Sequence, residues 1–122
     1  IEVCPLVGPS SLMLALMGSG LNGQSFAFRG YLGAKTDQRR ADIRDAEKLS
    51  GALKQTQIFI ETPYRSDALF TDFLNYLSPS TMLCVATNLT SSAQSIKTYP
   101  ISEWKKHPIQ IGKQPTVFLI LK

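Results

Sequence analysis

Apolar residues recur along the chain at two different periods, and the switches between them divide it into elements. Residues 12–17, Leu12-Met13-Leu14-Ala15-Leu16-Met17, are apolar on every side and predict a helix buried all round. Gly8-Pro9-Ser10-Ser11 opens it, since serine hydroxyls cap orphan N–H groups and proline is tolerated in a first turn. Gly18-Ser19-Gly20 ends it. Residues 26–32 place aromatics at alternate positions and predict a strand. From 37 to 53 the period changes: Ile43, Ala46, Leu49 and Leu53 recur at three and four, one apolar stripe on a charged helix capped by Thr36 or Asp37.

Residues 56–61 form a short apolar strand that Pro63 must end, because proline lacks a ladder donor and restricts Thr62 before it. A second amphipathic helix opens at Ser66-Asp67, with Leu69, Phe70, Phe73, Leu74 and Leu77 inward, and stops at Ser78-Pro79-Ser80. Residues 81–87 and 93–99 are strands, the latter two-faced and more exposed. A short helix follows at 100–106, with Ser102 as its expected cap, and the continuous apolar run 115–121 predicts a central strand covered on both sides. Helices alternating with strands, then strands in succession, give an α/β layered domain with a mixed sheet of about five strands flanked by helices. No internal repeat or low-complexity linker is visible, and 122 residues make one domain.

Composition narrows the function. No apolar run approaches the roughly 20 residues of a membrane helix, so no membrane partner is expected, and the opening residues do not read as a secretory signal. Beginning at Ile1 rather than Met, the sequence is expected to be part of a longer product. Cys84, in the run Met82-Leu83-Cys84-Val85, reads as a small buried hydrophobe, and the setting expected for the chain is reduced and cytoplasmic. His107 is the only histidine, beside Pro108 in a polar stretch, and neither cysteine stands at a ligand spacing. Metal chemistry and a Ser-His-Asp system are therefore not expected. There is no P-loop and no dinucleotide fingerprint. The formal charge of +4 favours an anionic partner such as RNA, and the bases concentrate in Arg29, Lys35, Arg39, Arg40, Arg44 and Lys48.

Three features can carry chemistry. Exposed N–H groups at Gly8-Pro9-Ser10-Ser11 either are plainly capped or hold a carboxylate or phosphate. Glu61-Thr62-Pro63-Tyr64-Arg65 follows a buried strand, where sites favour the loops, although a Glu61–Arg65 pair would satisfy both charges structurally. Lys35, Arg39 and Arg40 are spaced to form a phosphate-binding face or a solvated one. The absence of a triad or metal does not by itself exclude an enzyme, because holding reactants in the right geometry in a shielded site supplies much of a rate.

Specific motifs add to this reading. Pro5-Leu6-Val7-Gly8-Pro9-Ser10-Ser11 with Ala15-Leu16 and Ser19-Gly20-Leu21, then residues 26–35 with Arg39-Arg40, then Ile58-Phe59-Ile60-Glu61-Thr62-Pro63-Tyr64-Arg65, cover the first half of the chain in order. They resemble the Pro-Gly-Pro-Ser-Ala, Phe-x-Phe-x-Gly-Phe-Leu-Pro-x-Lys and Glu-Ser-Pro-His-Arg segments of the ribosomal small subunit RNA methyltransferase I group of the tetrapyrrole methylases. The resemblance implies the C-terminal domain of a two-domain, homodimeric enzyme, inactive as a separate piece, whose N-terminal domain carries much of the S-adenosylmethionine site. By that analogy Gly8, Pro9, Ser10, Ser11, Glu61, Thr62, Pro63, Ala86, Thr87, Asn88, Pro115 and Thr116 neighbour the cofactor. Tyr64, Arg65, Lys35, Arg39 and Arg40 face ribosomal RNA, modified on a ribose hydroxyl or a base. The chain departs from the group in having Thr87-Asn88-Leu89-Thr90-Ser91 for a charged Arg-Glu-Leu-Thr-Lys, Tyr64 for His and Gly33 for Pro. A small acceptor such as a corrin-like tetrapyrrole, and a non-catalytic dimerising domain, are the alternative readings.

Overall fold

The computed structural model describes residues 20, 25–30, 36–61, 65–88, 92, 94–112, 114 and 116–122. Within them the order is β1 (Phe26–Gly30), α1 (Thr36–Leu53), β2 (Thr56–Ile60), α2 (Ser66–Tyr76), β3 (Met82–Thr87), β4 (Ser95–Pro100), α3 (Ile101–Lys106) and β5 (Thr116–Leu121). The expected helix at 12–17 lies outside the described residues.

The five strands form one mixed sheet in the order β1-β2-β5-β3-β4. β1 and β2 are parallel, joined by the α1 crossover, and every other neighbouring pair is antiparallel. The apolar run of β5 thus occupies the centre, as its lack of alternation requires. The alternating strand β4 lies at an edge, half-exposed.

Register divides the side chains between two faces. Phe59, Phe118, Ile120, Leu83 and Val85 point to one face, where they pack with Ile43 and Ala46 of α1, Leu69, Phe70, Phe73 and Leu77 of the α2 region, and Ile101 and Trp104 of α3. Phe59, Phe73 and Phe118 stack obliquely, with centroids 5.5 and 5.4 Å apart. Each ring buried this way contributes about 2–3 kcal/mol. Trp104 closes the cluster, donating its indole N–H to the Leu83 carbonyl at 2.8 Å while its ring edge meets Phe70 and Tyr99. The other face carries a second cluster of Ile58, Ile60, Cys84, Ala86, Val117 and Leu119.

Helix α1 departs from the expected stripe. Ile43 and Ala46 are fully buried, but Leu49 and Leu53 are exposed, and the inner face is completed by two polar residues, Glu47 and Ser50. Glu47 accepts the Ser78 N–H at 2.7 Å and the Thr81 hydroxyl at 2.5 Å. The Ser50 hydroxyl accepts the Lys122 N–H at 3.0 Å. These bonds fasten α1 to the ends of α2 and β5 where an all-apolar contact was expected.

Candidate functional site at one end of the sheet

Topology brings separate sequence segments to one edge. β1, β2 and β3 run the same way, and their carboxyl ends meet the amino ends of β4 and β5. Thr87 is in register with both Thr116 and Ser95, and Ala86 and Ile60 are both in register with Val117. Glu61 stands one residue beyond Ile60, at the level of Thr116. Glu61, Ala86, Thr87, Asn88 and Thr116, five of the residues expected beside a cofactor, therefore share one end of the sheet. Open α/β sheets bind ligands at such carboxyl ends because the strands fix the loop residues rigidly there.

The group is polar and sunk into the fold. Glu61, Thr87 and Thr116 are 7, 6 and 1% exposed, and Ala86 is fully buried between them. Asn88 takes a left-handed backbone, φ 52°, which turns the chain off β3, and its amide donates to the Gln114 side-chain oxygen. Gln114 in turn donates to the Ile111 carbonyl at 2.7 Å, and the Thr116 hydroxyl donates to the Gln114 carbonyl at 2.9 Å. The loop before β5 is held by Asp67 in the first turn of α2, whose two carboxylate oxygens accept the N–H groups of Ile111 at 2.7 Å and Gly112 at 3.0 Å. Gln114 and Asp67 were not singled out from the sequence. Both act over 26 or more residues of separation, which no local spacing reveals.

The chemistry of this set is positioning. It offers two hydroxyls, an amide and one carboxylate, so it suits a polar ligand held by hydrogen bonds. His107 is remote from it, exposed at the end of α3, 3.9 Å from Glu103. Among the described residues no group of three or more potential metal ligands exists, and no helix is long and apolar enough to cross a membrane.

Of the residues expected to face RNA, Arg65 is exposed at the start of α2, near the same end. Arg40 is exposed with its guanidinium carbon 5.5 Å from the Tyr76 ring centre. Arg39 reaches the same helix: its Nε lies 2.5 Å from an Asp72 oxygen and both side chains are almost wholly covered. Both arginines therefore turn toward α2, Arg39 covered in an ion pair and Arg40 exposed over an aromatic ring. Gly8, Pro9, Ser10, Ser11, Lys35, Thr62, Pro63, Tyr64 and Pro115 lie outside the described residues. A groove of about 770 Å³ opens at the opposite end of the sheet between the carboxyl-terminal turns of α1 and α2. Volume alone does not make it the cofactor site, since the expected residues gather at the other end.

No protein-family model matches the chain. It is 34% identical over 103 residues to the ribosomal RNA small subunit methyltransferase I of Vibrio cholerae, covering 84% of this chain and 34% of that protein. To the protein of the same name in Escherichia coli O157:H7 it is 32% identical over 123 residues, 98% of this chain and 42% of that one. The chain thus spans between a third and about two fifths of the length of these curated relatives. Among solved structures it is similar to the methyltransferase CobJ, with a TM-score of 0.56 at 14% identity over 90% of this chain and 47% of that one. Diphthine synthase gives 0.53 at 12% identity, over 88 and 43%. The uroporphyrin-III C-methyltransferase of Thermus thermophilus complexed with S-adenyl homocysteine gives 0.50 at 13%, over 88 and 49%. The domain is therefore related to the ribosomal RNA small subunit methyltransferase I proteins and has the mixed-sheet α/β fold of these solved structures.

Proposed function

We propose that this chain is the C-terminal domain of a longer S-adenosylmethionine-dependent methyltransferase that modifies ribosomal RNA and works as a homodimer. The observation that carries the reading is the gathering of Glu61, Thr87, Asn88 and Thr116, from three strands, at one sheet end. The names of the curated relatives supply the RNA acceptor.

The donor set fits such a cofactor. Thr87, Asn88 and Thr116 offer neutral hydrogen-bonding groups of the kind that hold a nucleoside or an amino-acid moiety, and Glu61 offers a carboxylate for an ammonium or ribose hydroxyl. S-adenosylmethionine held by these residues would supply an electrophilic methyl group on its sulfonium, with the thioether as leaving group, to an RNA acceptor on a ribose hydroxyl or a base. The contribution of the chain is to orient and to exclude water, both of which lower the barrier without an ionised catalyst. Gly8, Pro9, Ser10 and Ser11, with Thr62, Pro63 and Pro115, complete the cofactor side of the proposed cleft. Lys35, Arg40, Tyr64 and Arg65 form the RNA side. Arg39 enters this site only indirectly, through the α1–α2 contact.

A specific observation favours a second acceptor class. Asn88 and Gln114 make the strand end neutral where the RNA-methylating group carries charges, a surface equally suited to a small macrocycle. Both readings are tested by incubating the whole protein with radiolabelled S-adenosylmethionine and RNA from cells lacking the gene. Label entering RNA, and lost when Glu61, Tyr64 and Arg65 are replaced together, is the expected result. Unlabelled RNA with retained cofactor binding transfers the proposal to a small-molecule acceptor. Dimerisation without cofactor binding removes the enzyme reading.

A further inference from the structure

Charge on α1 is distributed in a way that packing does not explain. Arg40, Arg44 and Lys48 follow one another at intervals of four, all exposed, on the flank beside α2. Like charges at this spacing repel by about 0.2–0.5 kcal/mol per pair, and among the described residues none of the three makes an ion pair that offsets it. Four residues of helix advance about 6 Å, close to the separation of successive phosphates along a nucleic acid strand. Tyr76 supports Arg40 from below through its ring face, fixing the start of the row.

The row leads into the large groove between α1 and α2, where Arg44 and Lys48 are joined by the exposed Lys122. Of the two acids there, Glu47 is committed to Ser78 and Thr81, which leaves Asp45 as the one exposed carboxylate against three bases. At its other end the row begins with Arg40, one turn into α1, whose guanidinium lies over Tyr76, itself part of the groove lining.

We infer that Arg40, Arg44, Lys48 and Lys122 form a track for the RNA phosphate backbone, running along α1 into the groove between α1 and α2. It rests on the RNA reading above and deepens it: the track binds RNA outside the nucleotide being modified and supplies affinity without sequence preference. An RNA strand fits better than an acidic peptide because the bases form a single file at phosphate spacing.

The test uses the whole protein and compares Arg44→Gln/Lys48→Gln, Arg44→Glu/Lys48→Glu and a control, Lys105→Gln/Lys106→Gln, at two exposed bases on α3. Binding to a fluorescent single-stranded ribosomal RNA fragment is measured across salt concentration, and cofactor binding is measured separately by calorimetry. The neutral pair is expected to weaken RNA binding on the order of tenfold at low salt and to flatten the log–log salt slope by about 0.7 per lost contact. The reversed pair weakens it further, and the control and the cofactor affinity stay at the wild-type value. Wild-type slope in both Arg44/Lys48 variants overturns the track while leaving the methyltransferase reading intact. Absence of RNA binding by the wild type, with cofactor bound, overturns the RNA acceptor and the track together. Equal loss of affinity for polyglutamate and RNA, at equal strength, overturns the track in favour of an acidic protein partner.

Discussion

Arg39 Nε lies 2.5 Å from the Asp72 carboxylate across the contact of α1 with α2, with both side chains nearly buried, at 11 and 12% exposure. Two helices on the same side of the sheet are thereby pinned to each other. Removing one partner strands the other charge in a dry contact, which costs several kcal/mol in fully buried pairs and somewhat less at this exposure. Arg39→Met is expected to lower unfolding stability by about 2–3 kcal/mol in urea titration. The salt slope of RNA binding should not change, in contrast with the Arg44 and Lys48 variants. A changed slope with unchanged stability would return Arg39 to the RNA face.

Asp67 is the support behind the loop that carries Gln114. Its carboxylate accepts two backbone N–H bonds, at 2.7 and 3.0 Å, and charge-assisted bonds of this kind contribute a net of about 1.5–3 kcal/mol each. Asp67→Ala deprives the N–H groups of Ile111 and Gly112 of their acceptor and loosens the approach to Gln114, while Ile111 keeps its side chain in the core. The expected outcome is a rise of about tenfold in the Kd for S-adenosylmethionine, equivalent to about 1.4 kcal/mol, with the circular dichroism spectrum retained. Unaltered cofactor affinity would separate this loop from the site.

Most elements were legible because burial and periodicity agree in them. β5 reads as a continuous apolar run and lies at the centre of the sheet; β4 alternates and lies at the edge. The failures have one physical origin, polar groups that do core work. Glu47 and Ser50 occupy the inward positions of α1, so the apolar pattern swung the expected stripe toward Leu49 and Leu53, which are 40 and 57% exposed. The expected Ser102 cap is likewise replaced. Pro100 is the N-cap, and the N–H groups of Ile101 and Ser102 are accepted by the carbonyls of Thr81 and Pro79 at 2.9 and 3.0 Å. A turn distant in sequence satisfies the helix start, which no local cap motif announces. The candidate site was legible as strand ends, while its support from Asp67 and Gln114 required the folded chain.

Trp104 joins α3 to the central strands by packing and by one hydrogen bond, and substitutions separate the two. Its indole N–H donates to Leu83 O at 2.8 Å in a fully buried setting. Trp104→Phe removes the donor and leaves a small void, with an expected loss of about 1–3 kcal/mol. Trp104→Ala also removes the contacts with Phe70 and Tyr99 and should cost about 3–5 kcal/mol. Equal losses in urea unfolding would show that the hydrogen bond contributes all of the effect.

Cys84 gives a pH dependence whose sign is fixed by burial. Desolvation on the second sheet face raises its thiol from 9.0 to about 11, against a smaller opposing effect of a hydrogen bond with Thr98. In the unfolded chain the thiol loses its proton near its ordinary value, while the folded protein keeps it. Between about pH 9 and pH 11 the unfolded state therefore binds fewer protons than the folded one, and stability falls as pH rises through that window. The whole contribution of this thiol, present below pH 9, is on the order of 3 kcal/mol. The informative quantity is the difference between wild type and Cys84→Ala, measured by urea unfolding at each pH. That difference is expected to be flat from pH 7 to 8.5 and to shrink steadily above it. In the same protein the native thiol should resist alkylation at pH 8 and react on unfolding. A difference independent of pH up to 11 would mean that the folded environment of Cys84 is hydrated, and that the second sheet face is open to water at β3.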